Sequence, residues 1–139
     1  MNAVADRKKV LVIDDESIVR ISCQRVLETE GYDVLLSSSG VDAIACLEQG
    51  GVSFAFIDLI MPDMDGFELL RRIKEGWPTV GTAVITGLGT QESSERARAL
   101  GADHFIKKPF LPEDLVRVID GGASPGYGSN YGSSNYEPE

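Results

Sequence analysis

Short, nearly all-apolar runs alternate along the chain with segments whose apolar residues recur at helical spacing. Residues 9–13 (Lys-Val-Leu-Val-Ile) form the first run and end at Asp14-Asp15. A continuous apolar run of this length is the pattern of a strand buried on both faces, as in parallel sheets. From Ser17, which is placed to cap a helix, Val19, Cys23, Val26 and Leu27 recur on one face to about Glu30, and Gly31 ends the helix. The alternation then repeats. Strands are expected at 33–36, 54–57, 82–85 and 104–107, and helices at 41–47, 67–74, 92–100 and 113–119, with glycine or proline between most of them.

Five strands alternating with five helices predict an α/β fold, a doubly wound parallel sheet with helices on both faces. Right-handed crossovers leave few topologies, and the flavodoxin-like order 2-1-3-4-5 is the common one. Its ligand crevice lies where strands 1 and 3 meet at their carboxyl ends. Beyond Ile119 the composition changes. Residues 121–139 are rich in Gly, Ser, Asn and Tyr, contain no aliphatic residue except Ala123, and repeat Ser-Asn-Tyr at 129–131 and 134–136. Such a stretch buries too little apolar area to offset its ordering entropy and is expected to be a disordered tail or linker. The tyrosines are its candidate contact points. Residues 8–120 are the expected domain.

Composition narrows the function. At 139 residues and 42% hydrophobic, the chain suits one domain with a real core. Twenty-two acidic residues against 13 basic ones give a net charge of -9, which argues against direct nucleic-acid binding. No apolar run approaches the ~20 residues of a membrane span, and residues 1–9 lack the apolar stretch of a secretory signal, so a cytoplasmic location is expected. Cys23 and Cys46 show neither metal-like nor redox-like spacing and read as reduced, buried thiols, with a disulfide as the alternative.

The acids at the strand ends carry the chemistry. Asp14 and Asp15 end strand 1, and Asp58 ends strand 3. In the 2-1-3-4-5 order these strands are neighbours, so three carboxylates share a crevice. Charges so placed raise carboxyl pKa values or demand a cation, and Mg²⁺ suits oxygen ligands. Thr86, ending strand 4, offers a hydroxyl, and Lys108, after strand 5, an ammonium. Taken singly, each has a plainer reading: a helix cap, a strand-end residue, a solvated lysine. Together they suit phosphoryl transfer to a carboxylate, with the metal and Lys108 neutralising the equatorial oxygens.

Four segments carry a resemblance: Val-Leu-Val-Ile-Asp-Asp-Glu (10–16), Ile-Asp-Leu-Ile-Met-Pro-Asp-Met-Asp-Gly (57–66), Val-Ile-Thr-Gly (84–87) and Phe-Ile-Lys-Lys-Pro-Phe (105–110). In order and spacing they resemble the signature segments of bacterial two-component response-regulator receiver domains. The resemblance implies that Asp58 is the phosphoacceptor, that Asp15 binds Mg²⁺ directly and Asp14 largely through water, and that the Ile60 backbone carbonyl is a further metal ligand. It also implies that Thr86 and Lys108 bind the phosphoryl group, that Phe105 is the switch aromatic, and that the Lys108–Pro109 bond is cis. The implied partners are a histidine kinase or histidine phosphotransfer protein as donor and an output protein or domain, with a phosphorylation-dependent homodimer allowed. The implied output surface is helix 4, strand 5 and helix 5. Such a domain is not an enzyme beyond its own phosphorylation and dephosphorylation.

Thr-Gly-Leu-Gly (86–89) followed by Phe105 looks most like receivers of nitrogen-regulatory and nitrogen-fixation type, which usually precede an ATPase or DNA-binding domain. The chain is therefore expected to be either a stand-alone receiver or a piece of a longer transcription regulator. Ile60 and Leu88 put apolar side chains beside the phosphoryl site, which predicts slow self-dephosphorylation. Ile18 and Ile21 lie off the buried stripe of the first helix. They form either an exposed docking patch or a widening of the buried face. Rival readings fit less well. A haloacid-dehalogenase type hydrolase needs an acid where Ile60 stands, and a flavodoxin needs a hydroxyl- and glycine-rich loop where Asp14-Asp15-Glu16 stands. A receiver that works without phosphorylation would have no use for the full set. The one histidine, His104, falls on a strand rather than on the exposed helix face of a phospho-His donor.

Overall fold

The computed structural model describes residues 7–120; the expected tail lies outside them. The elements run β1 Lys9–Ile13, α1 Ser17–Thr29, β2 Asp33–Ser37, α2 Gly40–Glu48, β3 Val52–Ile57, α3 Gly66–Gly76, β4 Gly81–Thr86, α4 Gln91–Ala99, β5 His104–Lys107 and α5 Pro112–Ile119. The sheet is parallel throughout, in the order β2-β1-β3-β4-β5, the predicted topology.

Side chains alternate across a strand, and this divides the core in two. Leu11, Ile13, Ala55, Ile57, Val84 and Phe105 face α2, α3 and α4, where they meet Leu47, Leu69, Leu70 and Ile73. Val10, Val12, Phe56, Ala83, Ile85 and Ile106 face α1 and α5, where they meet Cys23, Leu27, Leu115 and Val118. Fully burying one Leu, Ile or Phe side chain contributes ~1.5–3 kcal/mol. The packed stripe of α3 therefore decides its position. Its exposed Arg71–Glu68 and Arg71–Glu75 pairs are open to solvent screening and add little.

The local differences from the sequence reading have physical reasons. Ser17 is the first helical residue of α1 rather than its cap. Glu16 holds the cap position, in extended conformation and without a side-chain cap. The start of β3 extends two residues further back than predicted, because Ser53 is accommodated where the register shifts between Lys9 and Val10, and its hydroxyl donates to the Lys9 carbonyl at 3.2 Å. Cys46 is half-buried rather than buried, and both cysteines are free. Burial pushes the Cys23 thiol up to about 12, so it stays protonated and unreactive. Gly31, at φ +95°, takes a left-handed turn that closes α1.

The sheet ladders continue past the strand ends and place the loop residues. Asp14 N–H donates to the Ser37 carbonyl at 3.0 Å, Asp58 N–H to the Ile13 carbonyl at 2.9 Å, and Lys108 N–H to the Thr86 carbonyl at 2.7 Å. These bonds align the carboxyl ends of β1 and β3, and of β4 and β5, along one edge.

Candidate functional site

Asp14 is fully buried. Its Oδ1 accepts from Glu16 N–H at 2.9 Å, and its carbonyl accepts from Arg20 Nη1 at 2.7 Å. Asp15 is exposed. Asp58 is 4% exposed, and its Oδ1 accepts from Ile60 N–H at 3.1 Å. One carboxylate oxygen from each of Asp14, Asp15 and Asp58 lies within 4.8 Å of the others. The crevice they share is lined also by Glu16, Ile60, Gly87 and Lys108.

Lys108 is the cation of the site. Its Nζ lies 2.8 Å from Asp14 Oδ2, 2.9 Å from Glu16 Oε1 and 3.3 Å from Asp58 Oδ2. Burial works against its charge, but Asp14, Glu16 and Asp58 outweigh it and hold the ammonium above its usual range. The isolated reading of Lys108 as a solvated lysine does not hold. Burial pushes the Asp58 carboxyl up to about 6, and the Asp14 charge adds to this, against the lowering by Ile60 N–H and Lys108. One ammonium thus serves three acids. Asp14 Oδ2, buried, has only this charge contact and no aligned hydrogen bond among the described residues. A set of hard oxygen donors with an underserved buried oxygen fits a divalent ion such as Mg²⁺.

Thr86 is fully buried, and its Oγ1 accepts from Leu88 N–H at 3.0 Å. That bond leaves the hydroxyl hydrogen to donate. Phe105 is fully buried, beside Val84 in the β4–β5 register and on the face that carries α4. The Lys108–Pro109 peptide is cis. Ile60 and Leu88 are 57% and 39% exposed, and Ile18 and Ile21 are 77% and 50% exposed. The two α1 isoleucines thus lie outside the buried stripe rather than widening it.

Two participants escaped the sequence reading. Glu16 shares Lys108, and Arg20 fixes the Asp14 carbonyl. Glu16 follows the two aspartates directly, and that position was its only signal.

The family model for the response regulator receiver domain matches residues 10–120. The curated response regulator SaeR of Staphylococcus aureus is 32% identical over 111 residues, covering 80% of this chain and 48% of SaeR. The chain therefore spans about half the length of the curated relatives it matches. Among solved structures, a CheY-like receiver domain protein from Methanospirillum hungatei superposes with a TM-score of 0.79 at 32% identity, over 82% of this chain and 91% of that one. Chemotaxis protein CheY4 of Vibrio cholerae gives 0.78 at 27% identity, over 82% and 97%. The BeF3-activated DrrB receiver domain gives 0.76 at 27%, over 82% and 95%. The chain belongs to the response regulator receiver domain family.

Proposed function

We propose that Asp58 accepts a phosphoryl group from a phosphohistidine donor, and that the acyl phosphate biases the α4-β5-α5 surface toward a state read by an output partner. The observation that supports this best is the position of Lys108 Nζ, in contact with Asp14, Glu16 and Asp58 at the mouth of one crevice. A carboxylate oxygen of Asp58 attacks phosphorus in line. The phosphorus–nitrogen bond of the donor breaks, and its electron pair leaves with the imidazole. Lys108 and the Thr86 hydroxyl then meet the transferred oxygens. Mg²⁺, held by Asp14, Asp15, Asp58 and the Ile60 carbonyl, would supply Lewis-acid neutralisation of the phosphoryl charge.

The donor would be a histidine kinase or histidine phosphotransfer protein in the cytoplasm. The exposed Ile18 and Ile21 on α1 offer it an apolar contact beside the crevice. The phosphorylated state would be read by an output protein or, in a longer transcription regulator, by an output domain.

The test is labelling with acetyl phosphate and Mg²⁺. One phosphoryl group should add, labile to hydroxylamine, and Asp58→Asn should reduce incorporation to background. Undiminished labelling in that variant would sink the assignment.

A further inference from the structure

The loop that follows Asp58 is fastened at a point outside the crevice. Gly40 N–H donates to Asp63 Oδ1 at 3.0 Å, and Val41 N–H donates to Asp63 Oδ2 at 3.1 Å. These are the first two donors of α2. The third, Asp42 N–H, donates to the Ser39 Oγ at 3.1 Å, and the helical ladder begins with Ala43 N–H on the Ser39 carbonyl at 3.0 Å. The first four N–H groups of a helix lack partners in their own helix, and a carboxylate there also meets the positive end of the dipole. Ser39 is the local cap of α2. Asp63 reaches in from the loop after β3.

That loop is tied to itself by backbone bonds. Ile60 and Asp65 form an antiparallel bridge, and Gly66 N–H donates to the Leu59 carbonyl at 3.0 Å. A Cβ on Gly66 would lie 2.3 Å from Leu59 Cα, and one on Gly40 would lie 2.9 Å from Met64 Sδ. Glycine is required at 66, where the neighbour is backbone, whereas at 40 the Met64 side chain would have to shift. The same loop carries Ile60, which lines the crevice and whose N–H donates to Asp58 Oδ1. The end of α2 that Asp63 holds follows directly on β2, whose Ser37 carbonyl accepts from Asp14 N–H. The Asp63 contacts therefore join the backbone beside Asp58 to the backbone beside Asp14.

We propose that Asp63 is a positioning residue for metal-dependent phosphoryl uptake: its carboxylate, clamped on the first turn of α2, sets the Ile60 segment and Asp58 at their spacing from Asp14. This rests on the reading of Asp58 as a metal-assisted phosphoacceptor. Asp63 touches neither metal nor phosphoryl group, and acts through the loop.

The experiment is calorimetric titration of the full chain with Mg²⁺ alone, for the parent, Asp63→Ala, Asp63→Asn and Ser39→Ala. Asp63→Ala should raise the Mg²⁺ dissociation constant about 10-fold, the lower end of the losses found when residues that orient metal ligands are removed. The Mg²⁺ concentration that half-saturates acetyl phosphate labelling should move by the same factor, with the rate at saturating Mg²⁺ preserved. Asp63→Asn should fall between, because its carbonyl keeps one of the two bonds. Ser39→Ala weakens the same helix end without touching the loop, and should leave Mg²⁺ affinity unchanged. An unchanged dissociation constant in Asp63→Ala overturns the proposal. So does an equal shift in Ser39→Ala, which would make helix stability the cause. If Asp63→Ala does not fold, Asp63→Asn is judged against Ser39→Ala by the same criterion. Labelling of Asp58→Asn at the parent rate would instead refute the phosphoacceptor reading, while the Mg²⁺ titration still judges the clamp.

Discussion

At the scale of single residues, apolar side chains beside the crevice and one half-buried imidazole invite direct tests. Ile60 lines the crevice, and Leu88 stands two residues beyond Thr86 with its N–H on the Thr86 hydroxyl; both side chains are exposed. Hydrolysis of an acyl phosphate needs a water held in line with the oxygen–phosphorus bond. Neither side chain can orient one by hydrogen bonding. Ile60→Asn with Leu88→Glu is expected to shorten the phosphoryl lifetime by about 10-fold, one decade for a modest positioning gain; decay of radiolabel measures it. His104 on β5 has its Nδ1 buried without a hydrogen-bond partner among the described residues. Burial lowers its pKa from 6.5, with Asp103 opposing. The unfolded chain then binds the proton more readily, so the His104 contribution is present above pH 6.5 and lost as pH falls through that value. Asp58, raised from 3.8 to about 6, has the opposite sign at lower pH, but it is common to the parent and to His104→Phe. The stability difference between the two, from urea unfolding, should move in favour of His104→Phe as the pH falls from about 7.5 to 5.5.

At the scale of elements, the fold was legible where periodicity was clean. The apolar run of β1 and the Cys23 and Leu27 stripe of α1 stand in the structure as read. The first residues of β3 were not legible, because Ser53 sits at a register shift that breaks the pattern. The strand-end acids were legible because topology alone makes Asp14 and Asp58 neighbours. Glu16 and Asp63 were not. Their partners, Lys108 and the Gly40–Val41 backbone, are distant in sequence and meet them only in three dimensions. The helices also differ in how firmly they are held. α3 buries Phe67, Leu69, Leu70 and Ile73, whereas α4 buries only Ser93, Ser94 and Ala97. Arg96, stacked 4.1 Å from the centroid of the Phe67 ring, is a polar tie between them. Local opening should therefore be easier in α4. Native-state hydrogen exchange should show α4 amides opening roughly 100-fold more readily than α3 amides, a gap of about 2.8 kcal/mol. Equal protection would mean that α4 is held by more than its buried face.

At the scale of the whole molecule, the weak seat of α4 and the full burial of Phe105 bear on how a change at Asp58 travels. Thr86 ends β4, and Phe105 pairs with Val84 on the adjoining strand, on the face that carries α4. Under the proposed function, a phosphoryl group on Asp58 would gain contacts to the Thr86 hydroxyl and the Lys108 ammonium in one arrangement and not in another, and only such differential contacts shift a population. Moving an equilibrium from 1:99 to 99:1 takes about 5.5 kcal/mol. Hydrogen bonds to a charged group contribute about 1.5–3 kcal/mol each, so Thr86 and Lys108 together reach that range and either alone does not. Phosphorylation is therefore expected to move amide resonances across residues 90–119, well beyond the crevice. Thr86→Ala should still take up the phosphoryl group on Asp58, because the hydroxyl is not the nucleophile. It should lose most of the distant shifts, because one of the two contacts is gone. Heteronuclear spectra of the two proteins, each with and without acetyl phosphate and Mg²⁺, decide the matter. Distant shifts of full size in Thr86→Ala would route the coupling through Lys108 alone, and shifts confined to the crevice in the parent would remove the coupling altogether.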